Sequence, residues 1–349
     1  MHQSSLLNVT FQRQSQVGAD YWHSVLISLL RGLAAIEVAA AHLRSAAYPG
    51  LRSVAEPSVW FQGLAFFTGF AHQAVLVFFI ISGWLVGGSL LNRIDDRHAL
   101  AGYAIDRVTR LWTVLIPTFL LTLAFGLGAG VISANGIDYT GVHEYSAAAF
   151  AGNLVGLQTI VVDNFGGNFS LWSLANETWY YVLFPLVVLL FGARRATMRV
   201  GCGVALVLLA ALLPYAITLF FAIWLLGVAF SRIRIDCGPR LRTLWLALLV
   251  AVSVYYRLKG ITDDLTPASF WQDLVCSLVF LVFLSSLQFK AAPASKLLRP
   301  MARIGNFFAE FSFSLYVLHV PLIGVLQQWC AQQFGLRQLS PAVPLHFAI

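Results

Sequence analysis

Nine apolar runs separated by short polar segments are the feature that most constrains this chain. A helix needs about 20 predominantly apolar residues to cross the roughly 30 Å hydrocarbon core of a bilayer. Most of the runs approach that length, so the sequence predicts an all-α fold, a polytopic transmembrane helix bundle with nine full spans. The runs lie at residues 24–43, 70–91, 111–131, 172–191, 200–214, 216–231, 243–256, 270–289 and 307–330.

The composition excludes a soluble globule. Hydrophobic residues make up 59% of the 349 positions and charged residues only 11%, whereas soluble domains carry about 25% charged residues. Disorder is excluded as well, because it requires low hydrophobicity. The four cysteines form no CxxC pair, so neither a metal site nor a disulfide framework is predicted. They are Cys202, Cys237, Cys276 and Cys330.

Basic clusters follow alternate runs and predict the topology. Cytoplasmic loops are enriched in Lys and Arg, so these clusters predict a cytoplasmic N-terminus, a first run directed outward and strict alternation thereafter. The net charge of +7 is explained by these loops and does not indicate a nucleic-acid partner. The clusters lie at 92–110, 193–199, 231–242 and 290–303, and the opposite loops at 128–146 and 257–269 are poorer in basic residues.

Three further segments of the chain need an interpretation of their own. Residues 1–23 are interpreted as a cytoplasmic tail, and 24–349 as the transmembrane domain. Residues 145–162 would reverse the alternation if they crossed, so we interpret them as an interfacial or re-entrant segment on the outer face. The final residues, 343–349, are typical of the beginning of a tenth span that is truncated at Ile349.

The first run carries Arg31, Glu37 and His42. Each ionisable group at the centre of a span costs roughly 2.5 to 3.5 kcal/mol on insertion scales. Arg31 and His42 are eleven positions apart, which corresponds to a rotation about 20° beyond three full turns of an α-helix. The two side chains therefore share one face of the helix and are separated by about 16.5 Å along its axis. A snorkelling Arg31 and a surface-capping His42 are the simpler interpretations. Neither interpretation explains why the two residues share a face. The shared face favours a hydrated tunnel of which Arg31 and His42 line one wall, and Glu37 is predicted to lie off that face.

Other polar residues also admit two interpretations. Arg107 and Arg110 are spaced as a membrane anchor or as a phosphate clamp. Ser82 lies beside Gly83, Gly87 and Gly88, which favour close helix packing, although its hydroxyl could also act. Glu177, one turn before Tyr181, belongs to an aromatic belt or orients a histidine or a sugar hydroxyl. Ser312, Tyr316 and His319 form one polar stripe before Pro321, where His319 is either a satisfied buried histidine or a substrate contact.

Together these stretches resemble the integral-membrane acyltransferase-3 family. Five of its motifs occur here in family order, over about residues 25 to 325. They are the paired basic residue and histidine at Arg31 and His42, FFxxSG at Phe78–Gly83, RxxR at Arg107–Arg110, WSLxxE at Trp172–Glu177, and a late SYSLYxxH-like element at Phe311–His319 in which Phe313 replaces a tyrosine.

The resemblance implies an acyltransferase of about ten helices in the bacterial inner membrane. It implies an acyl-CoA co-substrate, usually acetyl-CoA, used from the cytoplasm, no other cofactor, and a hydroxyl acceptor on a glycan, peptidoglycan or a small exported molecule. His42 and Glu177 are then expected to be catalytic, His42 as the general base. The substrates are expected to contact Arg31, Ser82, Arg107, Arg110, Tyr316 and His319, and no metal ligand is expected.

Two rival classes of function are open at this point. A transporter or flippase also buries ionisable residues, but it is expected to show an internal repeat, and none is detected. A non-catalytic membrane subunit of a polysaccharide complex is the third interpretation.

Overall fold

The computed structural model describes residues 7–18, 20–128, 144–261, 265–290, 298–335 and 338–343. Within them, helices predominate and two short strands form an antiparallel pair. The strands are β1 (Leu7–Phe11) and β2 (Ile233–Cys237). The helices are α1 (Trp22–Ala47), α2 (Val59–Phe67), α3 (Ala71–Ser82), α4 (Gly88–Asn92), α5 (Ala99–Gly128), α6 (Ala147–Leu154), α7 (Trp172–Gly192), α8 (Ala196–Leu212), α9 (Tyr215–Phe230), α10 (Pro239–Lys259), α11 (Phe270–Ser285) and α12 (Leu298–Phe334).

Within the described residues, six helical stretches are long and apolar enough to cross a membrane, which supports the predicted all-α membrane bundle. They are Trp22–Ser53, Val59–Asn92, Ala99–Gly128, Phe169–Gly192, Pro239–Lys259 and Leu298–Gln333. The other three predicted runs coincide with the shorter apolar helices α8, α9 and α11. At 16 or 17 residues, these rise only about 24–26 Å. The total of nine full spans therefore stays a prediction.

Helices α1 and α12 lie side by side and run parallel. Gly32 faces Phe308, and the His42 and His319 side chains meet ten or eleven residues further along both helices. A Cβ at Gly32 would overlap the Cβ of Phe308, so glycine allows this close approach. Because α1 and α12 are the first and last spans and run in the same direction, the chain must cross the membrane an odd number of times between the start of α1 and the end of α12. A total of nine spans meets this requirement, whereas a total of six does not.

The glycines after Ser82 let α3 and α9 touch through their backbones. A Cβ at Gly83 would overlap the carbonyl oxygen of Trp224, and a Cβ at Gly227 would overlap that of Ile80. The packing interpretation of these glycines is confirmed. Residues Gly83–Gly87 form a π-helical turn directly after Ser82, a local widening that is frequent at functional sites.

The described part of the N-terminal segment is folded onto the bundle. Strand β1 pairs with β2 from Leu7 opposite Cys237 to Phe11 opposite Ile233. The backbone N–H of Ser15 donates to Asn92 Oδ1 at 2.9 Å. These contacts place the N-terminal segment on the same side as the basic loops that follow Asn92 and Phe230, as the charge pattern predicts.

An ion pair holds the segment to a third basic loop. Lys290 Nζ lies 3.0 Å from Asp20 Oδ2. The hydrogen bond from Lys290 lowers the pKa of the Asp20 carboxyl from its usual value. Both side chains are more than half exposed, so the pair contributes little to stability, but it shows that Lys290, the first residue of the fourth basic cluster, lies on this side of the bundle.

Residues 145–162 contain one short helix and contact α7. Helix α6 has eight residues and is therefore about 12 Å long. Beyond it, the carbonyl of Gly156 accepts a hydrogen bond from Trp179 Nε1 at 2.9 Å, about 10 Å along α7 from Trp172. The interpretation of residues 145–162 as an interfacial or re-entrant segment on the outer face stays a prediction. The predicted start of a tenth span, apart from Val343, lies outside the described residues.

Candidate functional site

A small cavity of about 60 Å³ lies among α1, α3, α5, α7 and α12, with room for a few water molecules. It brings together five of the residues predicted to be catalytic or to contact the substrates, and these come from separate motifs: Arg31, Ser82, Arg110, Glu177 and Tyr316. Ser173 and Ser312 complete the polar lining, and the apolar lining includes Val75, Phe78, Phe79, Leu85 and Phe313. The cavity is far smaller than the 300–1,000 Å³ of a typical small-molecule pocket.

Glu177 is the hydrogen-bonding centre of this cavity. Its Oε1 accepts a hydrogen bond of 2.7 Å from Ser82 Oγ and a second, very short one from the hydroxyl of Tyr181. Trp224 Nε1 in turn donates to Ser82 Oγ at 3.2 Å. Because Glu177 and Tyr181 are one turn apart on α7, they face the same neighbours. The partners of Glu177 are thus the hydroxyls of Ser82 and Tyr181, and the structure does not bring this carboxylate to His42 or His319.

The two histidines form a pair above the cavity. His42 Nδ1 lies 2.7 Å from His319 Nε2, with the two rings nearly parallel at 15°. His319 Nδ1 lies 2.6 Å from the carbonyl oxygen of Tyr316, one turn earlier on α12. Tyr316 also lines the cavity, so it connects the cavity to the pair. The spacing of Tyr316 and His319 predicted their shared face, but the pairing with His42 could not be predicted from it.

A proline on α12 positions an aromatic ring beside the pair. Pro321 lacks an N–H, so the carbonyl of Val317, four residues earlier, is released from the helix. That carbonyl accepts a hydrogen bond of 2.8 Å from Asn168 Nδ2. The next residue, Phe169, packs its ring edge-on against His42 with centroids 4.9 Å apart, while 49% of its surface stays exposed. Sequence reasoning missed Phe169.

Comparison with known families decides the class of the protein. Residues 25–347 match the Acyltransferase domain family, Acyl_transf_3. The chain belongs to this family. No curated protein and no solved structure matches the chain. The family match establishes an acyltransferase, in agreement with the resemblance of the five motifs, and leaves the transferred group and the acceptor to be proposed.

The arginines of this acyltransferase have different surroundings. Arg31 and Arg110 line the cavity, and within the described residues neither has a carboxylate oxygen within 4.0 Å. Arg107 lies against the rings of Tyr103 and Tyr181, 6.0 and 5.8 Å from their centroids, and does not line the cavity. The cavity therefore presents two cationic side chains without direct ion pairs.

Glu37 lies away from the candidate site of the acyltransferase. Its Oε1 accepts a hydrogen bond of 2.8 Å from the backbone N–H of Phe70 at the start of α3. It is not part of the cavity lining, as the helical periodicity of α1 predicts. In the described part of the chain, no group of three His, Cys, Asp or Glu side chains is arranged to hold a metal ion.

Proposed function

We propose that this acyltransferase moves an acyl group from cytoplasmic acyl-CoA to a hydroxyl of a glycan or another exported acceptor. The acyl group we propose is acetyl. The observation that carries the proposal is the arrangement along α1. Arg31 lies in a cavity with a second arginine, and His42 lies about 16.5 Å further along the same face, paired with His319. One end suits an anionic donor and the other a general base.

The donor end is proposed to recognise phosphate. Coenzyme A carries several phosphate charges, and the guanidinium fork of Arg110 can bind phosphate oxygens in a bidentate manner. Arg110 is exposed at the cavity, whereas Arg31 is half-buried. The cavity is too small for the nucleotide, so the bulk of the donor is expected to stay outside and only its narrow arm to enter. Arg107 is proposed to support the site through its contact with Tyr181.

The acceptor end is proposed to use His42 as the general base. As the acceptor hydroxyl attacks the acyl carbonyl carbon, its proton passes to the imidazole. The bond between that carbon and the sulfur of coenzyme A breaks, and the departing thiolate is protonated when the imidazolium releases its proton. Histidine suits this step because its ordinary pKa lies near neutrality. The roles proposed for Glu177, Ser82 and Tyr316 are to shape and polarise the passage between the two ends.

Incubating the purified protein with labelled acetyl-CoA and candidate acceptors tests the activity. The proposal predicts label covalently attached to a hydroxyl of the acceptor and release of free coenzyme A. A transporter or flippase would move the acceptor without covalent change, and a non-catalytic subunit would do neither. Hydroxyl-bearing acceptors that remain unlabelled while the same protein acylates an amine would exclude the O-acyl proposal.

A further inference from the structure

We propose that His319 is a positioning residue that fixes His42 in the tautomer required of a base. The inference rests on the proposed function, in which His42 takes the proton of the acceptor hydroxyl. It assigns His319 a role through His42 rather than a contact with substrate, because both of its ring nitrogens are engaged by protein atoms.

The hydrogen-bond partners determine where the protons lie in the uncharged pair. The carbonyl oxygen of Tyr316 can only accept, so His319 Nδ1, 2.6 Å away, must donate to it. A neutral imidazole carries one N–H, so His319 Nε2 is left as an acceptor. His42 Nδ1, 2.7 Å from that nitrogen, must then be the donor. The lone pair of His42 is thereby placed on Nε2.

That nitrogen is the one available to an acceptor hydroxyl. Within the described residues, His42 Nε2 has no hydrogen-bond partner. It is absent from the set of buried polar atoms without a partner, so this nitrogen is accessible at the protein surface. His42 is half-buried, and the half-exposed ring of Phe169 lies beside it. An acceptor that rests against Phe169 would present its hydroxyl next to Nε2.

The pair also stabilises the state that follows proton uptake. When His42 becomes an imidazolium, its Nδ1–H donates to His319 Nε2 with a full positive charge behind it, and such charge-assisted hydrogen bonds are stronger than neutral ones. His319 is only 3% exposed, so water cannot readily replace it as the acceptor. Loss of this contact should lower kcat about 10- to 150-fold, the range expected for one hydrogen bond to a charged group.

Two nearly isosteric substitutions separate this role from a packing role. In His319→Gln, the side-chain oxygen can reach the place of Nε2 and accept from His42, whereas in His319→Asn the shorter amide can replace only the contact with the Tyr316 carbonyl. We expect His319→Gln to keep kcat within a few-fold of wild type. His319→Asn and His319→Ala should lose about 10- to 150-fold in kcat, with the KM for acetyl-CoA changed less than about twofold.

His42→Ala, measured beside these variants, shows which proposal fails. If His42→Ala abolishes acyl transfer while His319→Asn and His319→Ala retain wild-type kcat, the positioning role is wrong and the base stands. If His42→Ala retains activity, the proposed base itself is wrong. Equal losses in the Gln and Asn variants at unchanged melting midpoint would also overturn the positioning role, because only one of them removes the acceptor.

Discussion

At the scale of single residues, the proposed donor site depends on how differently Arg107 and Arg110 are placed. Arg110 lines the cavity, so Arg110→Gln should raise the KM for acyl-CoA about tenfold, because the variant loses one charge-assisted contact with the donor. Arg110→Lys should recover only part of this loss, because lysine lacks the planar fork. Arg107→Gln should have a smaller effect, exerted through Tyr181. Steady-state kinetics with donor and acceptor varied in turn measure these changes.

Arg195→Gln is the matched control. Arg195 is exposed, precedes α8 and lies outside the cavity, so this variant should leave the KM values for donor and acceptor unchanged. A double Arg107→Gln and Arg110→Gln variant with wild-type donor dependence would refute the phosphate clamp. The two arginines would then be membrane anchors.

Helical periodicity allowed the sequence to predict which residues share a face, but not which residues they meet. Arg31 and His42 align on α1, and Tyr316 and His319 align on α12, because residues on one helix are related by a fixed rotation. The contact between Glu177 and Ser82 joins positions 95 residues apart, and that between His42 and His319 joins positions 277 apart. Such pairs depend on how helices pack, which a single sequence does not specify.

At the scale of helices, the contact between α1 and α12 depends on Gly32. In Gly32→Ala the new Cβ would overlap Phe308 and force the helices apart, at a cost of about 1–3 kcal/mol typical of overpacking. We expect a lower thermal melting midpoint in detergent and a reduced kcat, since His42 and His319 lie on the same two helices. Gly102→Ala on α5 is the control, because nothing lies within 4 Å of its added Cβ, and its melting midpoint should not fall. Equal midpoints for Gly32→Ala and wild type would contradict this account of the packing.

The helices themselves were predictable from the apolar runs, whereas the non-helical segments were not. Strand β1 pairs with β2 through backbone hydrogen bonds between Leu7–Phe11 and Ile233–Cys237. Because these bonds join backbone groups of segments far apart in the chain, the side chains of the two segments do not reveal the pairing. Residues 145–162 were predicted to be interfacial or re-entrant from charge alternation alone. Their contacts with Trp112 and Trp179, which donate to the backbone carbonyls of Leu154 and Gly156, could not be predicted.

At the scale of the whole molecule, the basic loops and the fold agree on one side of the bundle. The N-terminal segment contacts the loops that begin near Asn92, Ile233 and Lys290, three of the four clusters that the positive-inside rule assigns to the cytoplasm. Ser133 and Asp263, which the charge pattern predicts to lie on the outer side, are outside the described residues. This predicted topology would place Arg110 towards the proposed donor and His42 towards the proposed acceptor.

The rate of acyl transfer by His42→Ala, in membranes and at matched protein level, tests the central claim most directly. Removing a positioned base typically costs about 10² to 10⁴ in rate, so the variant should accumulate normally, bind acyl-CoA and fail to acylate. Glu37→Gln is the internal control, because glutamine keeps an oxygen to accept from Phe70, and it should transfer at nearly the wild-type rate. Wild-type acyl transfer by His42→Ala would contradict the account.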